Sequence, residues 1–117
     1  MSDQSQPHLR PATREDAALS ALMTQLGYPT TPAEMAARLD AIFSDDNYHT
    51  LVAERDGRVV GVVGAHLCMY YEYTGLCGQI MVLVVDEQAR SQGIGSLLLR
   101  GRRRLAARVW GQLGGIE

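Results

Sequence analysis

Lysine is absent from the chain, and all 11 of its cationic side chains are arginine. That absence alone excludes a triphosphate-binding loop, which requires Gly-Lys-Ser or Gly-Lys-Thr. Cysteine is scarce: Cys68 and Cys77 are too few for a disulfide framework. The pair could face each other across neighbouring strands, and in a reducing compartment it is expected as buried thiols. No His or Cys falls at metal-ligand spacing, so no metal is expected. No run approaches the roughly 18 apolar residues of a membrane span. The polar start Met1-Ser2-Asp3-Gln4-Ser5-Gln6 lacks the apolar core of a signal peptide. A cytoplasmic protein without a membrane partner is the expectation. Excess charge is also missing: a formal net charge of −2 leaves no broad basic face for nucleic acid. What remains is 117 residues, 46% apolar and 21% charged, the profile of one soluble globular domain over residues 1–117.

The periodicity is helical up to Phe43 and changes to that of strands at Tyr48. Thr13 with Asp16 three residues on predicts a capping box, followed by a helix with Leu19, Leu22, Met23 and Leu26 on one face. Gly27-Tyr28-Pro29 ends it. A second helix is expected after Thr31, with Pro32 at its first position and Glu34 closing the box. Its inward residues are Met35, Leu39, Ile42 and Phe43, and Ser44-Asp45-Asp46-Asn47 stops it. From Tyr48 the pattern is that of strands. His49 to Glu54 and Arg58 to Leu67 flank Asp56-Gly57, a strong hairpin signal. Gln79 to Val85 is almost wholly apolar, as for a strand covered on both faces. The segment between carries Tyr70, Tyr71 and Tyr73.

The most informative stretch runs from Leu83 to Leu99. It reads as a strand, a polar loop with Gly93 and Gly95, and the apolar start of a helix. Backbone N–H groups at such a helix start converge on one centre beside the positive end of the helix dipole. A phosphate or pyrophosphate is the natural ligand there. A dinucleotide fingerprint fails, because the third glycine position is Leu98 and no acidic residue follows on a further strand.

Arg90-Ser91-Gln92-Gly93-Ile94-Gly95 resembles the R/Q-x-x-G-x-G/A signature of the GNAT superfamily of N-acetyltransferases. Leu83-x-Val85 before it resembles that family's fourth strand. Leu9 to Ala17 looks like its first strand and the start of its first helix. The resemblance spans about Leu9 to Leu105 and implies an α/β fold: a mixed, mostly antiparallel sheet flanked by helices, in the order β-α-α-β-β-β-α. It implies acetyl-CoA as co-substrate. Pantetheine would pair with the backbone of Leu83, Val84 and Val85. Pyrophosphate would lie on Arg90, Ser91, Gln92, Gly93, Ile94, Gly95 and Ser96. It also implies transfer of acetyl to a primary amine, on a small molecule or a peptide.

The acceptor side carries less. An acidic base in this family sits on or near the fourth strand, but Gln79 and Met81 cannot take a proton. Glu72 is the nearest carboxylate and stands as a weak candidate beside a plain solvated role. His66 reads more readily as a packed or hydrogen-bonded strand residue, and the tyrosines as packing residues or an acceptor wall. The fifth strand, the following helix and its thiolate-protonating tyrosine have no counterpart before Glu117. The edge of the fourth strand is then open, and a homodimer is expected. Arg100, Arg102, Arg103, Arg104 and Arg108 read as a solvated helix face, as a source of one arginine for the cofactor's 3′-phosphate, or as the mark of a shifted reading frame. The alternative to an enzyme is a non-catalytic remnant that binds acyl-CoA or dimerises.

Overall fold

The computed structural model describes residues 6–72 and 74–113, with side chains described as far as residue 104. Four strands, β1 (His8–Pro11), β2 (Tyr48–Arg55), β3 (Arg58–Met69) and β4 (Leu76–Val85), form an antiparallel sheet in the order β1-β2-β3-β4. Three helices flank it: α1 (Leu19–Leu26), α2 (Pro32–Phe43) and α3 (Ile94–Leu113). A single 3₁₀ turn, Glu87–Ala89, joins β4 to the loop before α3. The element order is the expected β-α-α-β-β-β-α.

Alternation along the strands gives the sheet two apolar faces. Val52, Val62 and Val84 point to one side, where they pack with Leu19, Leu22, Met35 and Leu39 of α1 and α2. Leu51, Ala53 and Val63 point to the other, under Ile94 and Leu98 of α3. The β2–β3 hairpin turns on Asp56 (φ 55°) and Gly57 (φ 75°), the paired left-handed conformations that an Asp-Gly turn accommodates.

α2 begins as expected. The Thr31 hydroxyl accepts from the Glu34 N–H at 3.1 Å, and the Glu34 carboxylate accepts from the Thr31 N–H at 2.9 Å. α1 does not. Its regular turns start at Leu19 after an uncapped Ala18, five residues later than the Thr13 cap predicts. The Asp16 carboxylate does accept the Thr13 N–H at 2.7 Å, but it is drawn down to Arg10 of β1, which donates to it at 2.8 and 3.0 Å. Asp16 is buried, so this ion pair, with Glu54 of β2 beside it, fastens the turn to the sheet before the helix can wind.

β4 departs further. It starts at Leu76 rather than Gln79, and it is not covered on both faces. Ile80, Met81 and Leu83 are 42%, 53% and 37% exposed. β4 is an edge strand, and α3 reaches only its Val85 end. An apolar run is therefore a poor guide to cover here. The last expected inward positions of α3, Leu105 and Val109, lie outside the described side chains.

Candidate active site

At its C-terminal end β4 feeds into a heavily tethered turn. The Asp86 N–H donates to the Val60 carbonyl at 2.8 Å, and the Asp86 carboxylate accepts from the Gln88 N–H at 2.9 Å. Gln25 of α1 donates to the same carboxylate at 3.2 Å and accepts from the Glu87 N–H at 2.9 Å. Arg58 of β3 stands 3.5 Å away. The Gln88 hydrogen bond, with help from Gln25 and Arg58, holds the Asp86 carboxyl below the ordinary carboxylate range. Neither Asp86 nor Gln25 is singled out by sequence reading. Asp86 was discoverable, since an Asp two residues before a free N–H at a strand end is a turn-capping signal.

The loop beyond is exposed from Arg90 to Gly93. The Arg90 Nε donates to the Val85 carbonyl at 3.1 Å, folding the guanidinium back on the strand end. Arg55 of β2 donates to the Gln92 side-chain oxygen at 2.7 Å. Ser91 (φ 65°) and Gly93 (φ 80°) both take the left-handed conformation that turns the chain into α3. A Cβ on Gly93 would meet nothing within 4 Å, so the space above it is open. In the helix itself the Leu97 N–H closes the first bond, to the Gly93 carbonyl at 3.0 Å. The N–H groups of Ile94, Gly95 and Ser96 precede that first bond and point out of the helix start. The loop residues Arg90 to Ser96 are thus brought together at the end of β4.

Leu83, Val84 and Val85 lie on the strand that leads to this loop, and among the described residues the outer edge of β4 has no pairing strand. The N–H and C=O groups on that outer edge are available to an extended ligand, apart from the Val85 carbonyl, which Arg90 occupies. The helix start is fixed from beneath by Gly61 of β3. A Cβ there would lie 3.0 Å from Leu98 Cδ1, 3.2 Å from Ile94 Cγ2 and 3.3 Å from the Val84 carbonyl. Its role depends on the register of α3 over β3, which one sequence does not display.

Halfway along β4 the register slips. Gly64 faces Val82 but Ala65 faces Ile80, so Met81 is a bulged residue without a partner. Met81 lines a pocket of about 260 Å³ between the sheet and the helices, with Met23, Met35, Ile42 and Tyr48 in its apolar wall and Arg38 at its edge. The Arg38 guanidinium is exposed and donates to the Thr30 hydroxyl at 3.1 Å.

The remaining candidates are dispersed. Glu72 sits in an exposed turn beyond Leu76, about 30 Å along the strand from the loop after Val85. Tyr71 is fully exposed and does not line the pocket, and Tyr73 lies outside the described residues. Cys68 and Cys77 face each other in register on β3 and β4 as free thiols. His66 is a half-buried, hydrogen-bonded strand residue. Arg100, Arg103 and Arg104 are exposed on α3, and the side chain of Arg108 lies outside those described. Among the described residues no group of three or more His, Cys, Asp and Glu is placed to hold a metal ion. No helix among them is long and apolar enough to cross a membrane.

An open strand edge leading into an exposed loop and helix start defines the class: a three-layer α/β protein whose edge strand runs into a helix N-terminus. The model of the acetyltransferase (GNAT) family matches residues 16–111, and the chain belongs to that family. It is 35% identical over 97 residues to an aminoalkylphosphonate N-acetyltransferase of Salmonella typhimurium, covering 78% of this chain and 60% of that protein. The chain thus spans about three-fifths of that relative's length. A GNAT family acetyltransferase of Staphylococcus aureus superposes with a TM-score of 0.83 at 26% identity, over 90% of this chain and 81% of the other. Glucosamine-6-phosphate N-acetyltransferase of Arabidopsis thaliana shares the fold, with a TM-score of 0.73 at 19% identity over 95% of this chain and 78% of its own.

Proposed function

We propose that the protein is an N-acetyltransferase that moves acetyl from acetyl-CoA to a primary amine. The observation that carries this reading is the open edge of β4 at Leu83–Val85 running directly into the exposed loop and helix start at Arg90–Ser96. An extended pantetheine arm can add to the strand as a further strand would. Its pyrophosphate then falls on the N–H groups of Ile94, Gly95 and Ser96, in the open space over Gly93. Chemistry follows from position: the amine attacks the thioester carbonyl, the C–N bond forms, and the coenzyme A thiolate leaves.

The pocket at Met81 is the place for the acceptor, because it opens on β4 two residues before Leu83. Its wall takes a short alkyl chain, and Arg38 supplies one cation for an anionic end. Similarity to the aminoalkylphosphonate enzyme supports an acceptor of that form, an amine on a short chain ending in an anion.

Isothermal titration with acetyl-CoA tests the reading directly. Saturable heat is expected, and none at millimolar ligand would overturn it. Thiol release is then measured with aminoalkylphosphonates and with alkylamines of the same length. Turnover with the first group in preference to the second is expected. Binding without turnover of any amine would favour the non-catalytic acyl-CoA binder instead.

A further inference from the structure

Beyond the bulge, the face of the sheet that carries the pocket holds a second cluster of reactive groups. His66 Nδ1 lies 3.3 Å from Cys68 Sγ, two residues along β3 on the same face. On the other side of the ring, His66 Nε2 lies 3.5 Å from an Asp45 carboxylate oxygen. A carboxylate this near Nε2 favours the tautomer with its proton on that nitrogen, in which Nδ1 is the acceptor facing the thiol. Tyr48 tilts against the imidazole with ring centroids 4.5 Å apart, fixing its orientation. Asp45, His66 and Cys68 thus stand as orienter, base and nucleophile.

A second thiol is in place. Cys77 of β4 is the register partner of Cys68, and Gln79 is that of His66, with its side-chain oxygen 3.8 Å from Cys68 Sγ. Directly opposed residues of an antiparallel pair have Cα atoms about 4.5 or 5.5 Å apart. Both values fall inside the roughly 4.4–6.8 Å that a disulfide spans. Partial burial and the neighbouring Cys77 both push the Cys68 thiol up. Little thiolate forms unaided, so a base at Sγ decides whether the thiol reacts.

We propose that Cys68 and Cys77 form a thiol–disulfide exchange site for low-molecular-weight disulfides, with His66 as the base at Cys68 and Cys77 as the resolving thiol. His66 Nδ1 takes the Cys68 proton as Sγ attacks one sulfur of the small disulfide. The first small thiolate leaves and is protonated by His66. The Cys77 thiolate then attacks Sγ of Cys68, forming the cross-strand disulfide and expelling the second small thiol, with the Cys77 proton passing to it. One small disulfide is reduced to two thiols, and the two cysteines are oxidised to one cystine. The site is independent of acetyl transfer.

The test mixes the reduced full chain with glutathione disulfide, quenches with acid, and maps the cysteine peptides by mass spectrometry. A Cys68–Cys77 disulfide without retained glutathione is the expected product. Cys77→Ser should stop at a mixed disulfide on Cys68, and should form it about tenfold faster than Cys68→Ser forms one on Cys77. His66→Gln should slow the Cys68 adduct by a similar factor, whereas His49→Gln, on the opposite face of the sheet, should not. Stable glutathione adducts on both cysteines of the unaltered chain would overturn the proposal. So would equal rates for the two single-cysteine variants, a comparison that does not depend on whether His66→Gln folds.

Discussion

Asp86 carries the site more than any residue within the loop. It ends β4, caps the 3₁₀ turn, and receives Gln25 from α1 and Arg58 from β3. Replacing it with Ala removes the acceptor for the Gln88 N–H and for the Gln25 amide together. Asp86→Ala should cost about 1–2 kcal/mol of stability, the scale of a lost cap plus one bond. It should also weaken acetyl-CoA binding, since the turn that aims the loop loses its anchor. Urea unfolding and titration on the same variant check both, and unchanged affinity would separate the turn from the site. Gly93 acts differently, through empty space and a positive φ of 80°. Gly93→Ala meets no neighbour and costs about 1–2 kcal/mol from the left-handed conformation alone. Gly93→Trp adds the same strain and fills the space over the loop. Titration should therefore show weakened but measurable binding for the alanine variant and none for the tryptophan. Equal affinities would refute the placement of pyrophosphate there.

At the scale of elements, what the sequence displays is what is local. The Thr31–Glu34 box, the Asp56-Gly57 turn and the Gly93-Ile94-Gly95 loop are all short-range chemistry, and each appears where its residues predict. The α1 cap fails because Asp16 has a competing partner, Arg10, on a strand that only the fold brings near. The exposure of β4 and the bulge at Met81 fail to show for a related reason. Both are properties of pairing, which β4 shares with β3, and alternation within one strand does not encode them. Thus the turn and helix start at Arg90–Ser96 were legible, because they are contiguous, and the pocket at Met81 was not, because α1, α2, β2, β3 and β4 assemble it. Gly61 tests the same distinction. Its missing Cβ lets α3 sit on β3, so Gly61→Val forces Ile94 and Leu98 outward. A loss of about 1–3 kcal/mol is expected from overpacking, with weaker acetyl-CoA binding as the helix start moves. Urea unfolding and titration check the two effects, and full affinity with lowered stability would show that the loop holds its place without the helix.

For the whole molecule, His49 and the carboxyls of Asp16 and Asp86 contribute to the response to acid. Burial lowers the His49 pKa below its ordinary 6.5, so the unfolded chain binds its proton first. Stability from that group is present above pH 6.5 and is lost as pH falls from there through the folded value. The paired Arg10, which holds the Asp16 carboxyl below its ordinary 3.8, adds a second step. That contribution is present above pH 3.8 and disappears as pH drops through the lower folded value. Urea midpoints measured down the pH scale should show two declines. His49→Gln should abolish the upper one alone, and Asp16→Asn should diminish the lower, part of which stays with Asp86, at the expense of stability at neutral pH. A single decline unaffected by His49→Gln would remove His49 from the account.

Association is the last consequence of this architecture. The outer edge of β4 has no partner among the described residues, and Ile80, Met81 and Leu83 present apolar surface beside it. An unpaired apolar edge is a template for another chain, and two copies related by a twofold axis satisfy it at once. In our reading the second copy forms the wall of the acetyl-CoA groove that faces β4. It covers Ile80 and leaves the backbone at Leu83–Val85 to the ligand. Ligand then contacts both copies, so by linkage it must tighten the dimer rather than compete with it. Light scattering during size exclusion should give a dimer whose dissociation on dilution is suppressed by acetyl-CoA. Ile80→Lys places a charge at the edge without touching the loop, and should give a folded monomer of reduced acetyl-CoA affinity. Dissociation of the dimer by acetyl-CoA would mean that the copies and the coenzyme seek the same strand edge. A monomer at all concentrations would leave the edge to the coenzyme alone.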